Sequence, residues 1–153
     1  MSDLHYTHIQ NPQQLPSHQQ KIQDAWHLHN QLRPQFLTDA EKYVDYIALL
    51  LSERQQFLIV QNESGQIIGL ALFNMHHNTY QGKILFLEDL VIDENLRGTG
   101  VGEQVLKQCE HIAKENGCSH LSLDSGVFRS RAHKFYFTHD YIADCFHFSK
   151  ALA

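Results

Sequence analysis

Residues 86–102, FLEDLVIDENLRGTGVG, constrain this chain more than any other part of it. An apolar run over 84–92 reads as a strand and carries an acidic pair, Glu88 and Asp89. A short polar turn follows, then Arg97 and three alternating glycines, Gly98, Gly100 and Gly102. Beyond the turn, Val101, Val105, Cys109 and Ile112 recur at the period of a helix. Strand, glycine turn and helix start, in that order, put bare backbone N–H groups around a phosphate. Glycine allows close approach, and the helix N-terminus adds partial positive charge. The segment therefore reads as a diphosphate-binding loop with an acid on the strand just ahead of it.

Two glycine-loop patterns fail here. The nucleoside-triphosphate loop needs a Lys-Ser or Lys-Thr pair after its last glycine, and none follows these. The dinucleotide fingerprint needs a glycine where Glu103 stands. Residues 97–102 have instead the form Arg-x-x-Gly-x-Gly, preceded by Leu-Glu-Asp-Leu-Val-Ile-Asp. This block resembles the coenzyme A loop of the GNAT N-acetyltransferase superfamily, particularly its diamine and polyamine acetyltransferase branch. The resemblance implies acetyl-CoA as cosubstrate. It assigns cofactor contacts to Leu90, Val91, Ile92, Arg97, Gly98, Thr99, Gly100, Val101 and Gly102.

Composition sets the bounds. A chain of 153 residues, 42% hydrophobic and 19% charged, suits one globular domain over residues 1–153. Its apolar runs are too short to span a membrane, and the start MSDLHYTH has neither the basic nor the apolar part of a secretory signal. A cytoplasmic location is expected. Cys109, Cys118 and Cys145 fall in no metal or redox spacing, and their odd number argues against a disulfide framework. The net charge of −5 disfavours a nucleic-acid face and suits a cationic substrate. Twelve histidines are scattered, none at metal-ligand spacing, so no metal is expected.

The elements follow in order. Residues 4–10 read as a strand, and 17–32 as a helix that stops before Pro34. A second helix starts at Thr38, with Glu41 completing a capping box. Strands 57–61 and 67–73 flank the turn signal Asn-Glu-Ser-Gly. A polar, turn-prone stretch over 76–82 leads to strand 84–92, and the helix after the glycines ends at Asn116-Gly117. A short strand around Leu121 and Leu123, a helix over 130–138 and a closing strand over 141–148 complete the chain. This order predicts an α/β fold with a mixed central sheet of about six to seven strands flanked by helices. It is also the order of the GNAT fold.

A second constellation is SRAHKFYFTHDY, residues 130–141. It resembles the GNAT segment Ala-x-x-Phe-Tyr-x-x-x-Gly-Phe, whose tyrosine is the acid for the departing thiolate; Tyr136 takes that place. A tyrosine's ordinary pKa of about 10 keeps such a group protonated at neutral pH. Asp140 stands where glycine is common, and Arg129 stands where the related branch often has asparagine. With Arg129, Arg131 and Lys134 form a basic cluster, read either as a solvated helix face or as attraction for the phosphates of coenzyme A.

The chemistry assigns further roles. A protonated amine must lose a proton before it attacks a thioester, and the resemblance makes Glu88 the base; a solvent-facing strand carboxylate is the alternative. Strand alternation turns Asp89 to the other face, a structural position. Backbone N–H groups of Leu90, Val91 and Ile92 are placed to hold the carbonyl oxygen as charge grows on it. For Tyr136 the alternative is a core aromatic between Phe135 and Phe137. The implied activity is direct acetyl transfer in a ternary complex to a primary amine of a small molecule, polyamine- or amino-acid-like. An aminoglycoside-type or protein N-acetyltransferase is the second reading, and a non-catalytic acyl-CoA-binding regulatory module the third. Resemblance to the family also implies a homodimer.

Overall fold

The computed structural model describes residues 3–153. In it β1 (His5–Ile9), β2 (Gln56–Gln61), β3 (Ile67–Asn78) and β4 (Gly82–Ile92) pair antiparallel in chain order. The fifth strand, β5 (His120–Leu123), completes the order β1-β2-β3-β4-β5. Just ahead of β5 the Ser119 N–H donates to the Lys83 carbonyl at 2.8 Å, next to the start of β4. The two strands therefore begin at the same end and run parallel, as a helical crossover between neighbours requires. The sheet is mixed.

Between β1 and β2 lie α1 (Gln19–Leu32) and α2 (Ala40–Ser52). Ile22, Ala25 and Leu28 of α1 and Tyr43, Ile47 and Leu51 of α2 are buried against Phe57, Ile59, Leu70, Leu72 and Val91. The crossover helix α3 (Val101–Glu115) covers the other face, where Val101 and Val105 pack on Val60 and Ile68. Burying one such aliphatic or aromatic side chain is worth about 1.5–3 kcal/mol. Packing therefore outweighs capping as the source of helix stability here. No side chain caps α1, and the cap of α2 adds only about 1 kcal/mol. Cys109 of α3 is fully buried, and burial pushes its thiol up to about 12, so it behaves as a small apolar residue.

Several expectations need correction. The cap of α2 is Asp39, whose side chain accepts from the Glu41 N–H at 2.9 Å, and not Thr38. The stretch 76–82 is mostly strand: β3 runs to Asn78, and only a tight turn separates it from β4. Asn78 makes that turn by accepting from the Tyr80 and Gln81 N–H groups at 3.2 and 2.7 Å. Its polar residues read as loop because their strand character comes from pairing with apolar β4. Among the described residues the sheet has five strands, fewer than expected. Residues 141–148, expected as a closing strand, form no regular element.

The chain divides into two compact units, Met1–Ser122 and Leu123–Ala153. The second holds one helix, α4 (Ser130–Thr138), with the bounds expected. Asp140 closes it at φ +68°, the left-handed conformation glycine usually supplies. The Tyr141 N–H reaches back to the Tyr136 carbonyl at 3.0 Å and the Asp140 N–H to that of Phe137 at 3.3 Å. Aspartate tolerates this conformation better than most residues. Ile142, Phe146, Phe148 and Leu152 are exposed.

Candidate active site

The site grows from a break in the β3–β4 ladder. Leu72 pairs with Asp89 but Phe73 pairs with Leu87, so Glu88 is an extra residue in the register of β4 against β3. Such a bulge cancels strand alternation at that point. The Asn74 side chain, two residues from Leu72 and on the same face, donates to Glu88 Oε1 at 3.1 Å. Glu88 and Asp89 thus share the face covered by α1 and α2, and the expectation that Asp89 turns the other way is wrong. Glu88 is exposed, whereas Asp89 is buried.

Asp89 anchors a buried polar network. Its Oδ2 lies 2.6 Å from His29 Nε2, and its Oδ1 accepts from Arg33 at 2.5 Å. His29 Nδ1 is 2.7 Å from the Tyr43 hydroxyl, and both residues are almost wholly inaccessible. Burial holds the Tyr43 hydroxyl protonated, and His29 Nε2–H donates to the Asp89 carboxylate, which can only accept. Burial by itself would push the Asp89 carboxyl up. The bond and charge of His29, together with Arg33, outweigh it and hold the group below its ordinary value. Arg33 also donates to the Glu88 carbonyl at 3.4 Å, which ties the end of α1 to the bulge.

Beyond the bulge, β4 loses its second neighbour. The four residues of β5 start beside Lys83 and run out before Glu88. The Asp93 N–H donates to Ile68 on β3 at 2.9 Å, and N–H directions alternate along a strand. Val91 therefore also points toward β3, while Leu90 and Ile92 present theirs at the open edge. Two donors spaced along one edge can hold a carbonyl oxygen.

The glycine loop follows at once. A single helical turn, Glu94–Leu96, leads through Arg97 to Gly98 at φ +80° and Gly100 at φ +89°. No side chain caps α3 behind Gly100, and the space a Cβ would fill at either glycine is open. Thr99 turns inward, its hydroxyl donating to the Leu96 carbonyl at 2.5 Å. Uncapped first-turn N–H groups of α3, from Val101 and Gly102 onward, beside an unfilled space are what a diphosphate needs, so this loop fits coenzyme A. Replacing Gly100 with valine forces a branched residue into a left-handed backbone and fills that space. Acetyl-CoA affinity should fall tenfold or more, since each lost charge-assisted bond is worth about 1.5–3 kcal/mol. Calorimetry that gave a folded variant the parent affinity would remove the loop from the site.

The remaining expected residues lie on α4. Tyr136 is half-buried, with its ring 5.3 Å from that of Phe135 and 5.7 Å from that of Tyr141. Arg131 and Lys134 are exposed. Arg129 lies with its guanidinium 5.2 Å from the centre of the Phe128 ring. The sequence reading missed His29, Arg33, Tyr43, Asn74 and His76. Only His29 carried a signal, since it continues the apolar spacing of Ile22 and Ala25.

The family described as Acetyltransferase (GNAT) matches residues 22–139. The thialysine N-epsilon-acetyltransferase of Bos taurus is 30% identical over 46% of this chain and 41% of its own length. The aminoalkylphosphonate N-acetyltransferase of Salmonella typhimurium is 31% identical over 58% of each. The chain spans about half the length of these curated relatives. A solved aminoglycoside N-acetyltransferase in complex with CoA superposes with a TM-score of 0.78 over 100% of this chain and 97% of its own, at 16% identity. That likeness establishes the fold alone. With a match running from α1 through the glycine loop to the residue after α4, this chain belongs to the acetyltransferase (GNAT) family.

Proposed function

We propose that the chain is an acetyl-CoA-dependent N-acetyltransferase acting on a primary amine of a small molecule, polyamine- or amino-acid-like, by direct transfer in a ternary complex. One observation carries the reading: the uncapped glycine loop continues a strand whose open edge and bulged Glu88 lie just ahead of it. Acetyl-CoA supplies the activated thioester. The N–H groups of Leu90 and Ile92 receive the carbonyl oxygen as it gains charge. Glu88 takes the proton of the incoming ammonium, directly or through water. Tyr136 is the group the resemblance assigns to protonate the departing sulfur. Arg131 and Lys134 attract the coenzyme's phosphates.

The net charge of −5 favours a cationic acceptor. Relatives named for thialysine and for aminoalkylphosphonates point to small amines as well. A homodimer is part of the proposal, supported by the exposed apolar residues of the second unit; light scattering that gives a single-chain mass would remove it.

The test is thiol release from acetyl-CoA with polyamines, amino acids, aminoalkylphosphonates, aminoglycosides and peptides. Turnover with the first three and not with the last two is the expected pattern. Glu88→Gln keeps the shape of the side chain but cannot take a proton. Its rate should fall about 10²-fold, and the acidic limb of its pH profile should flatten. No turnover with any amine, together with firm acetyl-CoA binding, would favour a non-catalytic acyl-CoA module instead.

A further inference from the structure

Glu88 stands on a bulge, and a bulge leaves its residue without the ladder that fixes a strand side chain. A base that must meet an amine within a fraction of an ångström needs an outside support. The neighbouring strand supplies one. Asn74 Nδ2 donates to Glu88 Oε1 at 3.1 Å, and Asn74 Oδ1 lies 2.7 Å from His76 Nδ1. An amide oxygen only accepts, so the His76 contact requires a proton on Nδ1. That proton settles which way the Asn74 amide points, because only one orientation presents oxygen to His76 and NH2 to Glu88.

The three residues lie at alternate positions along one face. Asn74 pairs with Phe86 and His76 with Ile84, and the His76 ring centroid is 6.5 Å from that of Phe86. The packing keeps the imidazole over the strand. The Nδ1–H is present in the imidazolium and in one neutral tautomer, so the support does not depend on the charge of His76.

We propose that Asn74 and His76 are positioning residues for the base: His76 orients the Asn74 amide, and Asn74 holds the Glu88 carboxylate so that it meets the acceptor amine in a set direction. The proposal rests on Glu88 being the base. The bulge keeps Glu88 on the Asn74 face and brings Asp89 to the same side.

The experiment is a set of steady-state measurements on the full chain, with the acceptor found by thiol release. Asn74→Ala should lower kcat about tenfold to a hundredfold, the loss that a misplacement of about an ångström produces, with the KM for acetyl-CoA unchanged. In a Glu88→Gln background the same change should cost less than about twofold, because the group it positions no longer takes the proton. His76→Leu should resemble Asn74→Ala. His76→Asn carries its amide nitrogen where Nδ1 stood and should recover most of the rate. If Glu88→Gln alone leaves the rate intact, the reading of Glu88 as base has failed. If Glu88→Gln is slow but Asn74→Ala is not, or if the two losses multiply in full, the positioning role is overturned. Equal loss in His76→Asn and His76→Leu would remove His76 from it, and thermal denaturation of each variant separates these results from unfolding.

Discussion

Tyr136→Phe is expected to lower turnover about 10²–10⁴-fold while acetyl-CoA binding stays nearly intact. The substitution deletes one oxygen atom from a ring held in place by other means. The ring lies against Phe135 and Tyr141, and the Tyr136 carbonyl accepts the N–H groups of His139 and Tyr141 that close α4. Phenylalanine keeps all of these contacts and loses only the hydroxyl that we propose gives its proton to the thiolate. Single-turnover kinetics with a poor leaving thiol should widen the gap between parent and variant, since protonation matters most there. Equal turnover in the two proteins would mean that water or another group protonates the sulfur.

The second large effect concerns stability. His29→Leu should destabilise the fold by about 3–5 kcal/mol at neutral pH, because it strips a buried carboxylate and a buried hydroxyl of their shared partner. Leucine suits the apolar surroundings, in which the His29 ring stacks 6.1 Å from Phe57, so loss of packing is not the cause. The pH dependence follows from Asp89, whose carboxyl is held below its ordinary value of 3.8. A depressed carboxyl contributes its stabilisation above the unfolded-state value and loses it as pH falls through the lower folded-state value. The parent should therefore lose stability as the pH drops below about 4, and Asp89→Asn should lose less over that range. Urea denaturation at pH 7 and pH 3 reads both effects. A His29→Leu cost under about 1 kcal/mol would mean that water replaces the network.

How much of this could be read from the chain divides along a physical line. The glycine loop was legible because its signals are consecutive: left-handed glycines, an uncapped helix start and an apolar helix period are properties of neighbouring residues. The bounds of α4 were legible for the same reason, and so was the need for an unusual backbone at Asp140. The start of α2 was off by one residue because Thr38 and Asp39 are both competent caps and packing chose between them.

The facing of Asp89 was not legible. Alternation gives a residue's side only while the two paired strands hold equal numbers of residues, and the bulge belongs to the pair and not to either sequence. The supports of the acidic pair were hidden by distance along the chain. His29 and Arg33 stand about 60 residues from Asp89. Asn74 was hidden within a stretch that reads as loop. Residues 141–148 show the limit from the other side, since a run rich in apolar and aromatic residues becomes a strand only when a ladder receives it. By itself, then, the sequence determined the loop, the helices and the family, because torsional preference and apolar period are written residue by residue. Only the tertiary structure decided which face carries Asp89 and which side chains hold the acidic pair, because those depend on the register between strands and on contacts between segments far apart in the chain.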